Sequence, residues 1–279
     1  MTFPDHGMPG PIGVFDSGYG GLTILDELLK TFPGYDFIYL GDNARTPYGT
    51  RSFEVVYHYT RESVYKLFDR GAHLVILACN TASAKALRSI QQIDLPQYDP
   101  SRRVLGVVRP SAEETGKQTR NGHVGVVGTT GTIQSLSYPL EIEKLYPGLV
   151  ITQQACPMWV PLVENGETHT TGAAFFVQRD LQKLFEKDPM IDTLVLGCTH
   201  YPLLIDQIRK YLPKGVQIMS QGPVVAKSLQ DYLRRHPEID ALCDHSSGDC
   251  QFFTTENPEK FNEASAVFLN RPVDAIRLG

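Results

Sequence analysis

Leu74-Val-Ile-Leu-Ala-Cys79-Asn-Thr-Ala82 and Thr193-Leu-Val-Leu-Gly-Cys198-Thr-His-Tyr201 share one pattern: an apolar run, a cysteine, then side chains that hydrogen-bond. A short unbroken run of Leu, Ile and Val reads as a strand buried on both faces, the kind that fills a parallel sheet. After each cysteine the composition turns helical, with Asn80-Thr81 opening one segment, Thr199 suited to cap the other and Pro202 suited to its first turn. Each cysteine is therefore expected at a strand-to-helix turn on the carboxyl edge of a sheet, where ligands of open α/β sheets bind.

Working outward, further apolar runs predict strands at Ile12–Phe15, Asp36–Leu40, Val104–Val108, Val124–Val127, Leu149–Thr152 and Val216–Ile218. Helical patterns lie between them at Leu22–Lys30, Ser52–Arg70, Ala82–Gln91, Tyr138–Leu145, Gly172–Phe185 and Leu204–Leu212, and this alternation makes the class α/β. The pattern also occurs twice. Gly13-Val-Phe-Asp-Ser-Gly-Tyr-Gly-Gly is echoed by Gly125-Val-Val-Gly-Thr-Thr-Gly-Thr, and each precedes its cysteine strand by a similar interval. The expected architecture is two similar doubly wound domains with mainly parallel sheets, related by a pseudo-twofold axis. The polar stretch Gln91–Arg103 would cross between them, giving 1–103 plus 216–279 as the first domain and 104–215 as the second.

Composition narrows the function. The chain has 279 residues, 42% hydrophobic and 20% charged, enough for a substantial core. A formal charge of −5 without a Lys/Arg block argues against a nucleic-acid partner. No apolar run approaches the roughly 18 residues of a membrane span, and Met1 to Pro11 lacks the features of a secretory leader, so the expected location is cytoplasmic. Five cysteines, at 79, 156, 198, 243 and 250, are odd in number and form no C-x-x-C pair, which fits reduced thiols. No metal site is expected, because the close pair Cys198 and His200 lacks a second ligand pair.

Both Cys79 and Cys198 are expected beside helix N-termini, which would lower a thiol pKa toward neutrality and help hold a substrate carboxylate. A lone cysteine at a strand end is more often a small buried hydrophobe. Two at equivalent points of a repeat, each followed by polar residues, are hard to explain as packing; Cys156, Cys243 and Cys250 lack that context and keep the structural reading. Asp16 and Ser17 place a carboxylate and a hydroxyl on the same rim as Cys79. Asp16 could cap a helix or relay a proton, and His200 has the same choice beside Cys198. Asn80, Thr81 and Thr199 could bind a carboxylate, cap helices, or both.

Rival motifs fail on spacing. Gly18-x-Gly20 meets Thr23 where a dinucleotide fingerprint needs its third glycine, although Asp42 ends the next strand. There is no G-x-x-x-x-G-K-[ST], no H-E-x-x-H and no G-x-S-x-G.

The segments Phe15-Asp-Ser-Gly-Tyr-Gly-Gly-Leu22, Gly41-Asp-Asn-Ala-Arg-Thr-Pro-Tyr-Gly49, Ala78-Cys-Asn-Thr-Ala82 and Gly197-Cys-Thr-His-Tyr-Pro-Leu203 together resemble the aspartate/glutamate racemase superfamily, its glutamate racemase branch in particular. The likeness extends through Cys156-Pro-Met-Trp-Val-Pro-Leu-Val-Glu164 and the Phe-Phe-Thr-Thr segment ending at Thr255. It implies a site in the cleft between two α/β domains, with Cys79 and Cys198 as acid/base thiols and neither pyridoxal phosphate nor metal. Asp16 would assist Cys79; His200 and Glu164 would assist Cys198. Asp16, Ser17, Tyr48, Gly49, Asn80, Thr81, Thr199 and His200 would hold glutamate, with Thr129 and Thr132 nearby. Cys79 would deprotonate the D-isomer and Cys198 the L-isomer, supplying D-glutamate for peptidoglycan synthesis, in a chain that could pair as a homodimer.

An aspartate racemase would keep both cysteines and differ in pocket length. A nucleotide-binding oxidoreductase or a non-catalytic amino-acid-binding module are the more distant readings. Two departures stand out: Met1 to Gly10 is too short for the extension with which some relatives bind a cell-wall precursor, and Arg109 stands where a neutral or acidic residue is expected before Pro110.

Overall fold

The computed structural model describes residues 8–269 and 271–278. Met1–Gly7, the greater part of the N-terminal segment just discussed, lie outside them. Among the described residues ten strands form two sheets: β1 (Ile12–Asp16), β2 (Phe37–Gly41), β3 (Leu74–Leu77), β4 (Arg103–Gly106), β5 (His123–Gly128), β6 (Val150–Ala155), β7 (Thr193–Gly197), β8 (Gln217–Met219), β9 (Cys250–Thr254) and β10 (Ala275–Arg277). The first sheet has the order β10-β9-β2-β1-β3-β4 and the second β6-β5-β7-β8, and every pairing is parallel.

The order β2-β1-β3-β4 is that of β6-β5-β7-β8, so the sequence repeat is a repeat of topology. From β1 the chain pairs first to one side with β2 and then to the other with β3; β5 does the same with β6 and β7. The carboxyl ends of β1 and β3, and of β5 and β7, are thus the points where the winding reverses and a crevice opens. Cys79 follows one such end and Cys198 the other.

Alternation of side chains across each strand feeds two layers. Ile12 and Val14 of β1 and Leu74 and Ile76 of β3 pack with Leu22, Leu25, Val225 and Leu229 on one face. Phe15, Val75 and Leu77 pack with Val56, Val64 and Leu67 on the other. In the second sheet Leu194 and Leu196 face Val177 and Leu181, while Val124, Val126 and Val195 face Val108, Ala112 and Ile142.

Both crossings fall later than expected. β4 stays beside β3 and ends at Gly106, and Val108 begins the helix Val108–Gln118 rather than ending a strand. β8 likewise stays beside β7, so the return comes after Met219. An apolar run announces a strand but not the sheet it joins. The polar stretch read as a crossing is mostly helical, with a π-helical turn at Ile90–Asp94 and a helix at Leu95–Tyr98. Arg109 lies in the first turn of the Val108–Gln118 helix, exposed, with Nε 3.0 Å from Glu113 one turn on. Its charge is met by an ordinary surface pair.

Candidate active site

Cys79 is the N-cap of the helix Asn80–Lys85, its Sγ accepting from the Ala82 N–H at 3.4 Å and lying 3.3 Å from the Ser17 hydroxyl. The sequence led us to expect an acidic thiol. The opposite holds: burial pushes the Cys79 thiol up to about 12, and the negative charge of Asp16 adds to it, against the Ser17 hydroxyl and the Ala82 N–H. A cap donor is worth less than the solvation lost when the thiol is only 6% exposed. Cys79 therefore rests as a proton donor.

Asp16 ends β1, and its Oδ2 accepts from the Gly18 N–H at 2.9 Å, so it caps the glycine loop rather than the helix Leu22–Thr31, whose N-cap Gly21 has no side-chain bond. Burial raises its carboxyl above the usual range, opposed by the charge of His200 and the N–H groups of Gly18 and Gly21. Its second oxygen, Oδ1, has no hydrogen-bond partner among the described residues.

On the other side Cys198 follows β7. Thr199 does not cap the following helix; the chain passes through His200 into a 3-10 turn, Tyr201–Leu204, before the helix Ile205–Tyr211. His200 Nδ1 lies 3.9 Å from Cys198 Sγ, and Nε2 is 3.0 Å from Glu164, the last residue of the helix Trp159–Glu164. Phe268 meets the imidazole edge-on, with centroids 5.6 Å apart. Burial alone would strip the charge from His200, but the hydrogen bonds to Cys198 and Glu164 outweigh it and carry the imidazole up to about 10. A protonated histidine thus sits against Cys198 at neutral pH.

The two sides touch. Thr81 Oγ1 is 3.0 Å from Thr129 Oγ1 and 3.3 Å from Thr132 Oγ1, while Thr23 donates to the Thr199 carbonyl at 3.0 Å. Cβ atoms built on Gly20 and Gly49 would strike Thr199-His200 and Thr129 respectively. Tyr48 is buried with its hydroxyl on Asp42, whose carboxylate also accepts from Arg45 and Thr255. Asp42 therefore anchors the Tyr48-Gly49 turn. The threonine contacts join the turn that follows Cys79, and the helix after the first glycine loop, to the second glycine/hydroxyl loop and to the turn carrying Cys198.

Of the residues read from sequence, Asp16, Ser17, Thr81, Thr129, Thr132, Thr199, His200 and Glu164 gather around the two cysteines. Asn80 stands apart: its side-chain amide bonds Gln221 and Tyr138 behind the cleft. Cys156 and Cys243 are buried in the core and Cys250 lies on β9, away from this cluster.

The chain matches a model of the Asp/Glu/Hydantoin racemase family over residues 21–229. It belongs to that family. A glutamate racemase of Listeria innocua is 39% identical over 98% of this chain and 100% of its own length. Among solved structures, a glutamate racemase isoform from Bacillus anthracis superposes with TM-score 0.87 at 35% identity, covering 97% of each chain. A glutamate racemase from Francisella tularensis in complex with D-glutamate gives 0.84 at 31% identity, covering 95% of each.

Sequence reasoning missed several residues that shape this racemase-family site. Gly20 was read as part of the first glycine loop and of a failed nucleotide motif, not as a close contact to the Cys198 turn. Tyr138, Ser111 and Gln221 were not singled out, and no local motif marks them. Phe268 lies on the helix Pro258–Leu269, in the stretch 216–279 read only as the return of the chain to the first domain.

Proposed function

We propose that the protein is a cofactor-independent glutamate racemase in which Cys79 and Cys198 act from opposite faces of one α-carbon. The observation that carries the reading is the placement of the two thiols at equivalent strand ends of a repeated unit, on two sides joined by the Thr81–Thr129, Thr81–Thr132 and Thr23–Thr199 hydrogen bonds. Glutamate, rather than aspartate, is favoured by relatives of that name aligned over nearly the whole chain.

In the direction L to D, Cys198 as thiolate takes the α-proton, leaving the electron pair on Cα and the substrate carboxylate. The Cys79 thiol then gives its proton to the opposite face, ending as thiolate while Cys198 ends as thiol. The reverse direction exchanges the roles. The resting protonation suits the first direction, with His200 charged beside Cys198 and Cys79 protonated. Because an α-carbon acid is far weaker than a thiol, most of the barrier must be met by fixed donors around the developing charge. The hydroxyls of Ser17, Thr81, Thr129, Thr132 and Thr199 are suited to that, and Asp16 Oδ1 is free to take the substrate ammonium. The two sheets act as two domains, the first running through β4 and resuming at Ser220.

The test is incubation of the purified chain with L-glutamate in D₂O, followed by chiral separation. D-glutamate carrying deuterium at Cα is expected. Binding without inversion would leave an amino-acid-binding module, and faster inversion of aspartate would move the substrate assignment.

A second result follows from His200. A histidine raised in the fold contributes stability that is fully present below its free value of about 6.5 and lost as pH rises through about 10. The alkaline limb of the rate profile should follow the same loss. Glu164→Gln removes one of the partners holding the proton, so that limb should move to lower pH by about one unit or more. An unmoved limb would detach Glu164 from the reaction.

The same reading makes this a cytosolic enzyme supplying D-glutamate for peptidoglycan, in a chain that could pair as a homodimer. Among the described residues no helix is long and apolar enough to cross a membrane.

A further inference from the structure

Behind the cleft four buried side chains from distant parts of the chain form one polar knot: Asn80, Ser111, Tyr138 and Gln221, none more than 3% exposed. Gln221 Oε1 accepts from Asn80 Nδ2 at 2.6 Å. The two hydrogens on Gln221 Nε2 reach Tyr138 Oη and Ser111 Oγ, both at 2.8 Å. Tyr138 donates onward to Asn80 Oδ1 at 2.8 Å, and Ser111 to the Val107 carbonyl at 2.7 Å. Asn80, Gln221 and Tyr138 thereby close a ring in which each hydroxyl and each amide has a consistent role.

The ends of this knot matter more than its middle. Asn80 is bonded directly to Cys79. Tyr138 packs under Gly197, bonded directly to Cys198; a Cβ at Gly197 would sit 3.2 Å from the tyrosine Cε2. Ser111 lies in the first turn after the chain leaves β4 for the second sheet, and Gln221 opens the helix Gln221–Arg235, where the chain returns after β8. The knot therefore joins both crossings between the sheets to the Cys79 turn through the hydrogen bonds of Asn80, and to the Cys198 turn through the packing of Tyr138 under Gly197.

We propose that Gln221 and Tyr138 are positioning residues that set the span between Cys79 and Cys198, through Asn80 on one side and Gly197 on the other. This rests on the racemase reading. Substrate contact is not needed for the effect. A buried knot with one member removed leaves orphaned donors and acceptors that must relax; the relaxation here is carried to both thiols, and a displacement of about 1 Å at reacting groups can cost about 10²-fold.

The test measures two rates on the full chain with L-glutamate in D₂O: inversion, by chiral separation, and loss of the Cα hydrogen, by NMR. Exchange with retention needs one thiol within reach of Cα, whereas inversion needs both at once. Gln221→Leu and the milder Tyr138→Phe, which deletes only the hydroxyl, should each lower kcat for inversion about tenfold or more with little change in KM. Exchange should fall less, so that L-glutamate accumulates deuterium with retained configuration. The double variant should lose no more than the worse single one, because both break the same ring.

Fewer folded molecules would lower both rates in proportion. A ratio of inversion to exchange equal to that of the unsubstituted protein, in both variants, overturns the proposal while leaving the racemase reading intact. An unsubstituted protein that never inverts glutamate overturns both.

Discussion

Cys79→Ser and Cys198→Ser are each expected to lower racemisation by about 10³-fold or more while leaving the fold in place. Positioned general acids and bases contribute about 10² to 10⁴ in rate, and a serine hydroxyl at either position is too weak an acid, and too unavailable as a base, to replace a thiol. About 10³-fold corresponds to about 4 kcal/mol of barrier. The fold should tolerate both changes for separate reasons. At Cys79 the sulfur caps the Ala82 N–H, and serine is a better N-cap than cysteine. At Cys198 the substitution removes little volume from a turn already held by Thr23 and by the His200–Glu164 pair. The single-thiol variants also separate the two faces. In D₂O, Cys79→Ser should still exchange the Cα hydrogen of L-glutamate through Cys198, and Cys198→Ser that of D-glutamate through Cys79. Inversion at an undiminished rate by either variant would end the two-thiol scheme; exchange of the same enantiomer by both would reverse or merge the assigned faces.

The parts of this site that could be read in the sequence are those that local chemistry writes plainly. Leu74–Leu77 and Thr193–Gly197 are apolar runs that only a buried strand explains, and the polar residues after each cysteine mark a turn at the sheet edge. The repeat gave the second thiol its meaning, since β2-β1-β3-β4 and β6-β5-β7-β8 place Cys79 and Cys198 at matching points. What could not be read depends on tertiary closure. Position beside a helix start suggested an acidic Cys79, yet burial of the thiol in the folded chain outweighs the donors around it. Asn80 was read as a carboxylate ligand or a helix cap, and nothing local announces that its side chain bonds Gln221, more than a hundred positions away in the chain. The strand β4 was assigned to the wrong half because its run of apolar residues is equally at home on either sheet edge.

Gly20→Ala is expected to disable the enzyme by a route that touches no acid or base. Gly20 is not among the glycines with a positive φ, so an alanine there meets no backbone strain; what it lacks is room. Its Cβ would fall 2.3 Å from both His200 Nδ1 and Thr199 Oγ1, and 2.5 Å from His200 Cε1. The His200 ring cannot step aside, and the Thr199 backbone is pinned. The imidazole is held through Nε2 by Glu164 and lies edge-on to Phe268, and the Thr199 carbonyl accepts from Thr23. The turn carrying Thr199 and His200 must therefore move away from the first glycine loop as a unit, taking Cys198 with it. Overpacking of this kind typically costs about 1 to 3 kcal/mol of stability, and opening the cleft by about 1 Å should cost about 10²-fold in kcat/KM. Gly34→Ala is the matched control, because a Cβ there meets nothing within 4 Å. It should leave both stability and rate unchanged, so the difference between the two variants isolates the contact across the cleft. A Gly20→Ala protein with full activity would mean that the two halves work from a wider separation than the closed arrangement described above, and that Thr199 and His200 reach the substrate without support from the first loop.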